Sequence, residues 1–248
     1  MMMDLADQNQ ITAIQNLGKI EFLNFSLSID GIQVLRDIDL VFKTGQLTII
    51  YGQRGAGKST LLRSILALNR EIYPNVSWTG DLKINGKSIT TYDRKTLRTF
   101  ITYIEPGFVE ALDKLRLDEF IEITLREKPD SIDEFAADLD RLGLLQFMKK
   151  DIKTPLKNFY TMEKILILLF AAIVRRSFVI VLDCILDHVD DETIEPILKE
   201  LLRLKEDRII ILSTRHRMRF LPIADLYVSL KNGTIEYKGS TRDLVFKR

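Results

Sequence analysis

The run Gly52-Gln53-Arg54-Gly55-Ala56-Gly57-Lys58-Ser59 sets glycines, a lysine and a hydroxyl in the G-x-x-x-x-G-K-[ST] spacing. Glycines at 52, 55 and 57 let the backbone curl so that successive N–H groups converge on phosphate oxygens, and a helix starting here adds its N-terminal partial charge. Lys58 can reach the outer phosphates of a nucleotide, and the Ser59 hydroxyl can ligate Mg²⁺. Asp183 is a second candidate. It closes the apolar run Phe178 to Leu182, and a carboxylate at a strand end beside a phosphate loop would hold Mg²⁺ through water.

These residues need a strand, a turn and a helix to position them. Leu47-Thr48-Ile49-Ile50-Tyr51 reads as a short apolar strand running into the loop, and Ser59 to Leu68 carries helical spacing after it. Upstream, Glu21 to Phe25 alternates, and Gly31 supplies a turn before a strand at Val34 to Leu40. Asp81 to Gly86 and Phe100 to Ile104 read as further strands. The stretch from about 110 to 157 is charge-rich and helical, with capping-box spacing at Ser131-Ile132-Asp133-Glu134 ahead of Phe135, Leu139 and Leu142. An apolar helix from Met162 to Val174 follows. Two continuous apolar strands, Phe178 to Leu182 and Arg208 to Leu212, then flank an amphipathic helix from Ile194 to Leu204. Such runs suit the parallel centre of a sheet covered on both faces. Leu226 to Leu230, Asn232-Gly233 and Thr234 to Tyr237 read as a hairpin. The expected fold is α/β: a mainly parallel sheet, an antiparallel β subdomain and a helical subdomain inserted at about 110–157, all in one domain over 19–248. Residues 1–18 are polar and read as an N-terminal extension.

Composition narrows the function. Of 248 residues, 46% are apolar and only one is cysteine, which excludes both a disordered chain and a disulfide scaffold. Lys+Arg 36 against Asp+Glu 35 leaves +1, so no global field collects nucleic acid or anionic lipid. The longest apolar run, Ile165 to Val174, is too short to cross a bilayer, and the acidic start lacks the features of a signal peptide. The expectation is a soluble intracellular protein without a nucleic-acid partner.

The loop and Asp183, with the opening strands Ile20-Glu21-Phe22 and Val34 to Leu40, the stretch Gly80 to Gly86 and the closing hairpin Asn232 to Gly239, resemble the ATP-binding subunit (nucleotide-binding domain) of ABC transporters. The resemblance covers 19 to about 245, and Asn69 to Gly80 is most similar to the phosphate-importer branch. It implies a P-loop NTPase fold with ATP and Mg²⁺ as ligands. Residues Gly52, Gln53, Arg54, Gly55, Ala56, Gly57, Lys58, Ser59 and Thr60 would surround the phosphates, with Ser59 and Asp183 on the metal. Ile29 would cover the adenine, where the family has an aromatic ring. The resemblance also implies head-to-tail pairing, each site being completed by the LSGGQ signature of the other domain. It places the chain in the cytoplasm, peripheral at the inner face of the membrane and docked on transporter membrane subunits.

At the hydrolytic positions the sequence departs from that pattern. The glutamate expected after Asp183 is Cys184, which cannot take a water proton as a carboxylate does. The family glutamine falls on Pro106, just after Glu105, and the switch histidine falls on Arg215, beside His216. The signature falls on Phe159-Tyr160-Thr161-Met162-Glu163, where Met162 would crowd a phosphate and Glu163 would oppose one. Asp190 still fits the dimer-contact loop. The expectation is a degenerate subunit that binds Mg-ATP and hydrolyses it slowly or not at all, docked through its helical subdomain and paired with a different ABC subunit. Its rivals are a working import ATPase that uses Glu105 and His216 for catalysis, and a cytosolic ABC-type regulator. Cys184 otherwise reads as a small buried filler, and the two histidines, His188 and His216, are too few to build a zinc site with it.

Overall fold

The computed structural model describes residues 18–125, 136–142, 144 and 153–241. The expected capping box at Ser131 to Glu134 and the polar segment 1–17 lie outside the described residues. The strands are β1 (Lys19–Ile29), β2 (Ile32–Lys43), β3 (Gln46–Tyr51), β4 (Val76–Ile84), β5 (Lys87–Ser88), β6 (Ile101–Ile104), β7 (Val179–Asp183), β8 (Ile209–Thr214), β9 (Leu226–Lys231) and β10 (Thr234–Ser240). The helices are α1 (Lys58–Ser64), α2 (Asn69–Ile72), α3 (Arg94–Phe100), α4 (Pro106–Ala111), α5 (Leu117–Leu125), α6 (Ala136–Arg141), α7 (Thr161–Val174) and α8 (Asp191–Leu204).

Six strands form one sheet in the order β10-β9-β3-β8-β7-β6, parallel throughout except for the β9–β10 hairpin. The other four form an antiparallel sheet, β2-β1-β4-β5. The large sheet is apolar on both faces. Leu47, Ile49, Ile180, Leu182, Ile210 and Leu212 face a core shared with α5, α7 and α8, whereas Ile50, Val179, Val181, Ile209 and Ile211 face a second core shared with α1 and the small sheet. Burial on both sides is why the sequence shows unbroken Val/Ile/Leu runs rather than alternation. Each such side chain contributes about 1.5–3 kcal/mol of burial free energy.

Several strands run longer than the sequence pattern suggests, β1 and β4 among them. β1 continues to Ile29 because a bulge at Asn24 (φ 45°) inserts a residue, so Phe22 and Phe25 share one face at a spacing of three. Strict alternation therefore stops at Phe25 while the ladder goes on. β4 begins at Val76, and Asn85-Gly86, both at positive φ, make the turn that follows it.

The β9–β10 turn ties the two sheets to the phosphate loop. Gly233 donates its N–H to Ala56 O (3.1 Å) and accepts from the Arg36 N–H (2.8 Å). It sits at φ 79°, where a Cβ would lie 2.1 Å from Val34 O. Gly233→Ala is expected to lower stability by about 1–3 kcal/mol through backbone strain, read as a drop in the urea midpoint.

Candidate functional site

A cleft of about 400 Å³ opens where β3, β7 and β8 end. Residues Arg54 to Thr60 form one wall, and Val34, Pro106, Cys184, His188 and Arg215 form the rest. The loop is fixed by close packing. Gly57 has φ 99°, and a Cβ on it would meet Leu35 Cδ2 at 2.9 Å. The Gly52 N–H is held by Thr214 O (3.2 Å), so the loop leaves the sheet at a set angle. Lys58 is only 5% exposed, and its ammonium donates to Gly52 O (2.6 Å) and Gln53 O (3.1 Å). The chain thus holds a cation at the root of its own loop, the arrangement a polyphosphate needs.

Asp183 ends β7 at the same edge and is 2% exposed. Its Oδ1 accepts from the Ser213 hydroxyl at 2.5 Å, and its Oδ2 from the Tyr103 hydroxyl at 2.7 Å. The Tyr103 oxygen also lies 3.0 Å from Glu105 Oε2, which accepts from Arg63 Nη2 at 2.5 Å. Burial, reinforced by the Asp183 carboxylate, pushes the Tyr103 phenol far above its usual value, so it remains a proton donor at any physiological pH.

The next residue, Cys184, turns the chain at φ 53° and donates its N–H to Ser213 O and Oγ (3.2 and 3.0 Å). It is half-buried and lines the cleft, so it is not the core filler its apolar neighbours suggest. Beyond it the fully buried Asp187 accepts from the Thr214 hydroxyl (2.6 Å) and from Arg215 N and Nε (3.0 and 3.1 Å). Arg215 Nη2 lies 3.1 Å from His188 Nε2. Donors cluster at the cleft while the nearby carboxylates are already engaged. The loop, Lys58 and Arg215 suit the phosphate end of a nucleotide, and Ser59 lines the cleft where a divalent cation would accompany it.

A family model described as ABC transporter matches residues 35–184, from β2 through the loop to Cys184. The chain belongs to this family. It is an ABC transporter nucleotide-binding domain, 28% identical over 238 residues to a probable ABC transporter ATP-binding/permease protein of Haemophilus influenzae, which covers 93% of this chain and 41% of that one. The chain thus spans about two fifths of that relative. A probable branched-chain amino acid transport ATP-binding protein LivF of Archaeoglobus fulgidus is 27% identical, with 86% of this chain and 89% of that one covered. Among solved structures, an ATP-bound bacterial Atm1-family ABC exporter superposes with a TM-score of 0.76 at 19% identity, over 93% of this chain and 40% of that one. An ATP-binding subunit of an ABC transporter gives 0.73 at 22% identity, over 91% of both chains. These two likenesses concern the fold.

Within this ABC domain several expected residues fall elsewhere. Ile29 is half-buried at the end of β1, packed against the core; Val34, one strand on, reaches the cleft. The turn at Gly31 puts the start of β2, not the end of β1, beside the loop. His216 is exposed and outside the lining, its N–H bonded to Thr214 Oγ1 (3.0 Å), whereas Arg215 and His188 face the site. Glu105 is held by Arg63 and Tyr103, and Pro106 lines the cleft in its place. At the start of α7, Glu163 is 5% exposed and accepts from the Tyr160 N–H at 2.7 Å, capping its own helix rather than facing outward. Met162 is half-buried against the core, and Tyr160, 78% exposed, takes the outer position instead. Val34, His188 and Arg215 carry no motif of their own, although the family's switch position falls on Arg215.

Burial raises the Cys184 thiol above its ordinary value, which leaves less thiolate at neutral pH. Iodoacetamide should therefore label Cys184 more slowly than a free cysteine at pH 8, with the rate still climbing at pH values where an ordinary thiol has levelled off. A nucleotide in the cleft should slow the labelling further, as read by mass spectrometry.

Proposed function

We propose that this chain is the ATP-binding subunit of an ABC-type transporter that binds Mg-ATP and hydrolyses it slowly or not at all. The observation that supports this most directly is the composition of the cleft. The phosphate loop is complete, yet no Asp or Glu lines the cleft among the described residues, and Cys184 is the side chain beside Asp183 that does. Lys58 and the loop bind and orient the phosphates, Arg215 adds a cation held in place by Asp187, and Ser59 with Asp183 would hold Mg²⁺. Bound Mg²⁺ supplies neutralisation of charge on the outer phosphates. Among the described residues no carboxylate lines the cleft to assist water as a general base, and Asp183, Glu105 and Asp187 each already accept two or more hydrogen bonds. The rival reading, an active import ATPase, gains nothing from His216, which is exposed outside the cleft.

We place membrane subunits as partners, docked through the segment at about 110–157, and a second, different ABC subunit opposite the cleft. The likeness to the Archaeoglobus transport ATP-binding protein over 89% of its length supports a subunit role, and no described helix is long and apolar enough to cross a membrane. The start of α7 supports an unlike partner, because Glu163 already occupies that helix N-terminus with its own carboxylate. A second phosphate there would meet a neutralised helix end. The likeness of Asn69 to Gly80 to the phosphate-importer branch stays part of this proposal; the stretch forms α2 and the start of β4.

Removing the Lys58 ammonium deletes a charge-assisted contact worth about 1.5–3 kcal/mol. Lys58→Ala should thus weaken ATP at least tenfold by calorimetry; equal affinity would overturn nucleotide binding through this loop. For hydrolysis, wild-type turnover should sit near background and Cys184→Glu should raise it, within the roughly 10²–10⁴-fold a general base supplies. In the same samples, light scattering should show no ATP-driven homodimer. An ordinary transporter rate in the wild type, or a tight homodimer, counts against this reading.

A further inference from the structure

Three permanent cations line the cleft, Arg54, Lys58 and Arg215, with the His188 imidazole beside the last of them. They differ in what holds them. Lys58 is buried and engaged by two carbonyls of its own loop, and Arg215 is anchored to the buried Asp187. Arg54 is exposed on the phosphate loop, and among the described residues no acceptor engages its guanidinium. Gly55, which follows it, stands at φ 81° with open space where a Cβ would be, so the arm has room to swing. The rest of the wall gives a nucleoside little to hold. Val34 is the one branched aliphatic side chain of the lining, and among the described residues no Phe, Tyr, Trp, Asn or Gln joins it. Ile29 and Ile32, a cross-strand pair at the hairpin that leads to Val34, also offer hydrocarbon alone. A site that hydrogen-bonds its substrate rejects an analogue lacking the group by roughly 10⁴–10⁵-fold, because its own polar groups are left unpaired. An aliphatic wall has no such means.

We propose that this cleft reads the phosphate chain and not the base, so that its ligands are triphosphates as a class, inorganic triphosphate included, with Arg54 closing on the chain. The planar guanidinium presents N–H groups in a fork that matches phosphate oxygens two at a time. No hydrogen bond within the chain breaks when Arg54 does so, whereas the Lys58 ammonium is shared with the loop carbonyls. The cations converge on the part of the ligand that every nucleoside triphosphate has in common. The part that differs among them meets Val34. This inference rests on the proposed nucleotide site and concerns what that site selects.

The test is a calorimetric series on the full chain at one pH and one Mg²⁺ concentration, with ATP, GTP, CTP and sodium tripolyphosphate as the ligands. All four should bind within about tenfold of one another, and tripolyphosphate should compete with ATP. Arg54→Gln should weaken all four by a common factor of about ten, the loss of one charge-assisted contact. Arg54 is exposed and holds no partner among the described residues, so this variant reads binding and not folding. A preference beyond about tenfold for one base, or for ATP over tripolyphosphate, overturns the proposal. So does tripolyphosphate that binds without competing, and so does an Arg54→Gln loss that is absent or confined to the nucleotides. Wild-type protein that binds neither ATP nor tripolyphosphate overturns the proposed function itself. ATP bound without tripolyphosphate ends this inference alone, which separates the two failures.

Discussion

Parallel strands that end on one edge of a sheet leave their last amides and carbonyls beyond the ladder, and the cleft is built from how those groups are satisfied. The Gly52 N–H takes Thr214 O, and the Cys184 N–H takes both Ser213 O and its hydroxyl. The three strand ends are therefore tied to one another across β3, β8 and β7 before any side chain contributes. That tie fixes the exit direction of the phosphate loop on one side and of the Cys184–His188 turn on the other. It brings Asp183 within hydrogen-bond reach of Ser213, 30 residues on, and Asp187 within reach of Arg215, 28 residues on. The apolar strands that make this edge rigid are buried on both faces, so the position of the site depends on two hydrophobic cores rather than on one.

The charges near the cleft follow a consistent arrangement. Asp187 is fully buried and would be costly alone, but a hydroxyl, a backbone N–H and a guanidinium offset its desolvation. Arg215 is in turn held at the mouth of the cleft instead of ranging through solvent, which reduces the entropy lost when an anion arrives. Lys58 is likewise held by carbonyls of its own loop. Cations line the cleft and anions are neutralised behind it, so the cleft attracts phosphate without repelling it from the second layer.

Much of this was legible in the sequence where a single local segment decides the outcome. The phosphate loop is such a segment, as are the unbroken apolar strands and the Asn232-Gly233 turn. What was not legible depends on contacts between distant segments. Ile29 and Val34 lie five residues apart on a hairpin, and only the position of the Gly31 turn against the loop decides which one lines the cleft. Glu163 read as an outward charge because its neighbours occupy the signature position, yet helix geometry folds it back onto the Tyr160 N–H. The choice between Arg215 and His216 turned on a buried partner, Asp187, that no spacing rule announces.

The chain carries a single tryptophan, Trp78, on β4 of the small sheet, with the Arg70 guanidinium 3.7 Å over its ring. Arg70 belongs to α2, just beyond the helix that leaves the phosphate loop, so the guanidinium stacks between that segment and the small sheet, outside the cleft lining. The ultraviolet emission of Trp78 is therefore a one-site reporter of how the small sheet seats against the loop helix, and any change in that emission on adding a ligand would mean that the seating itself has moved.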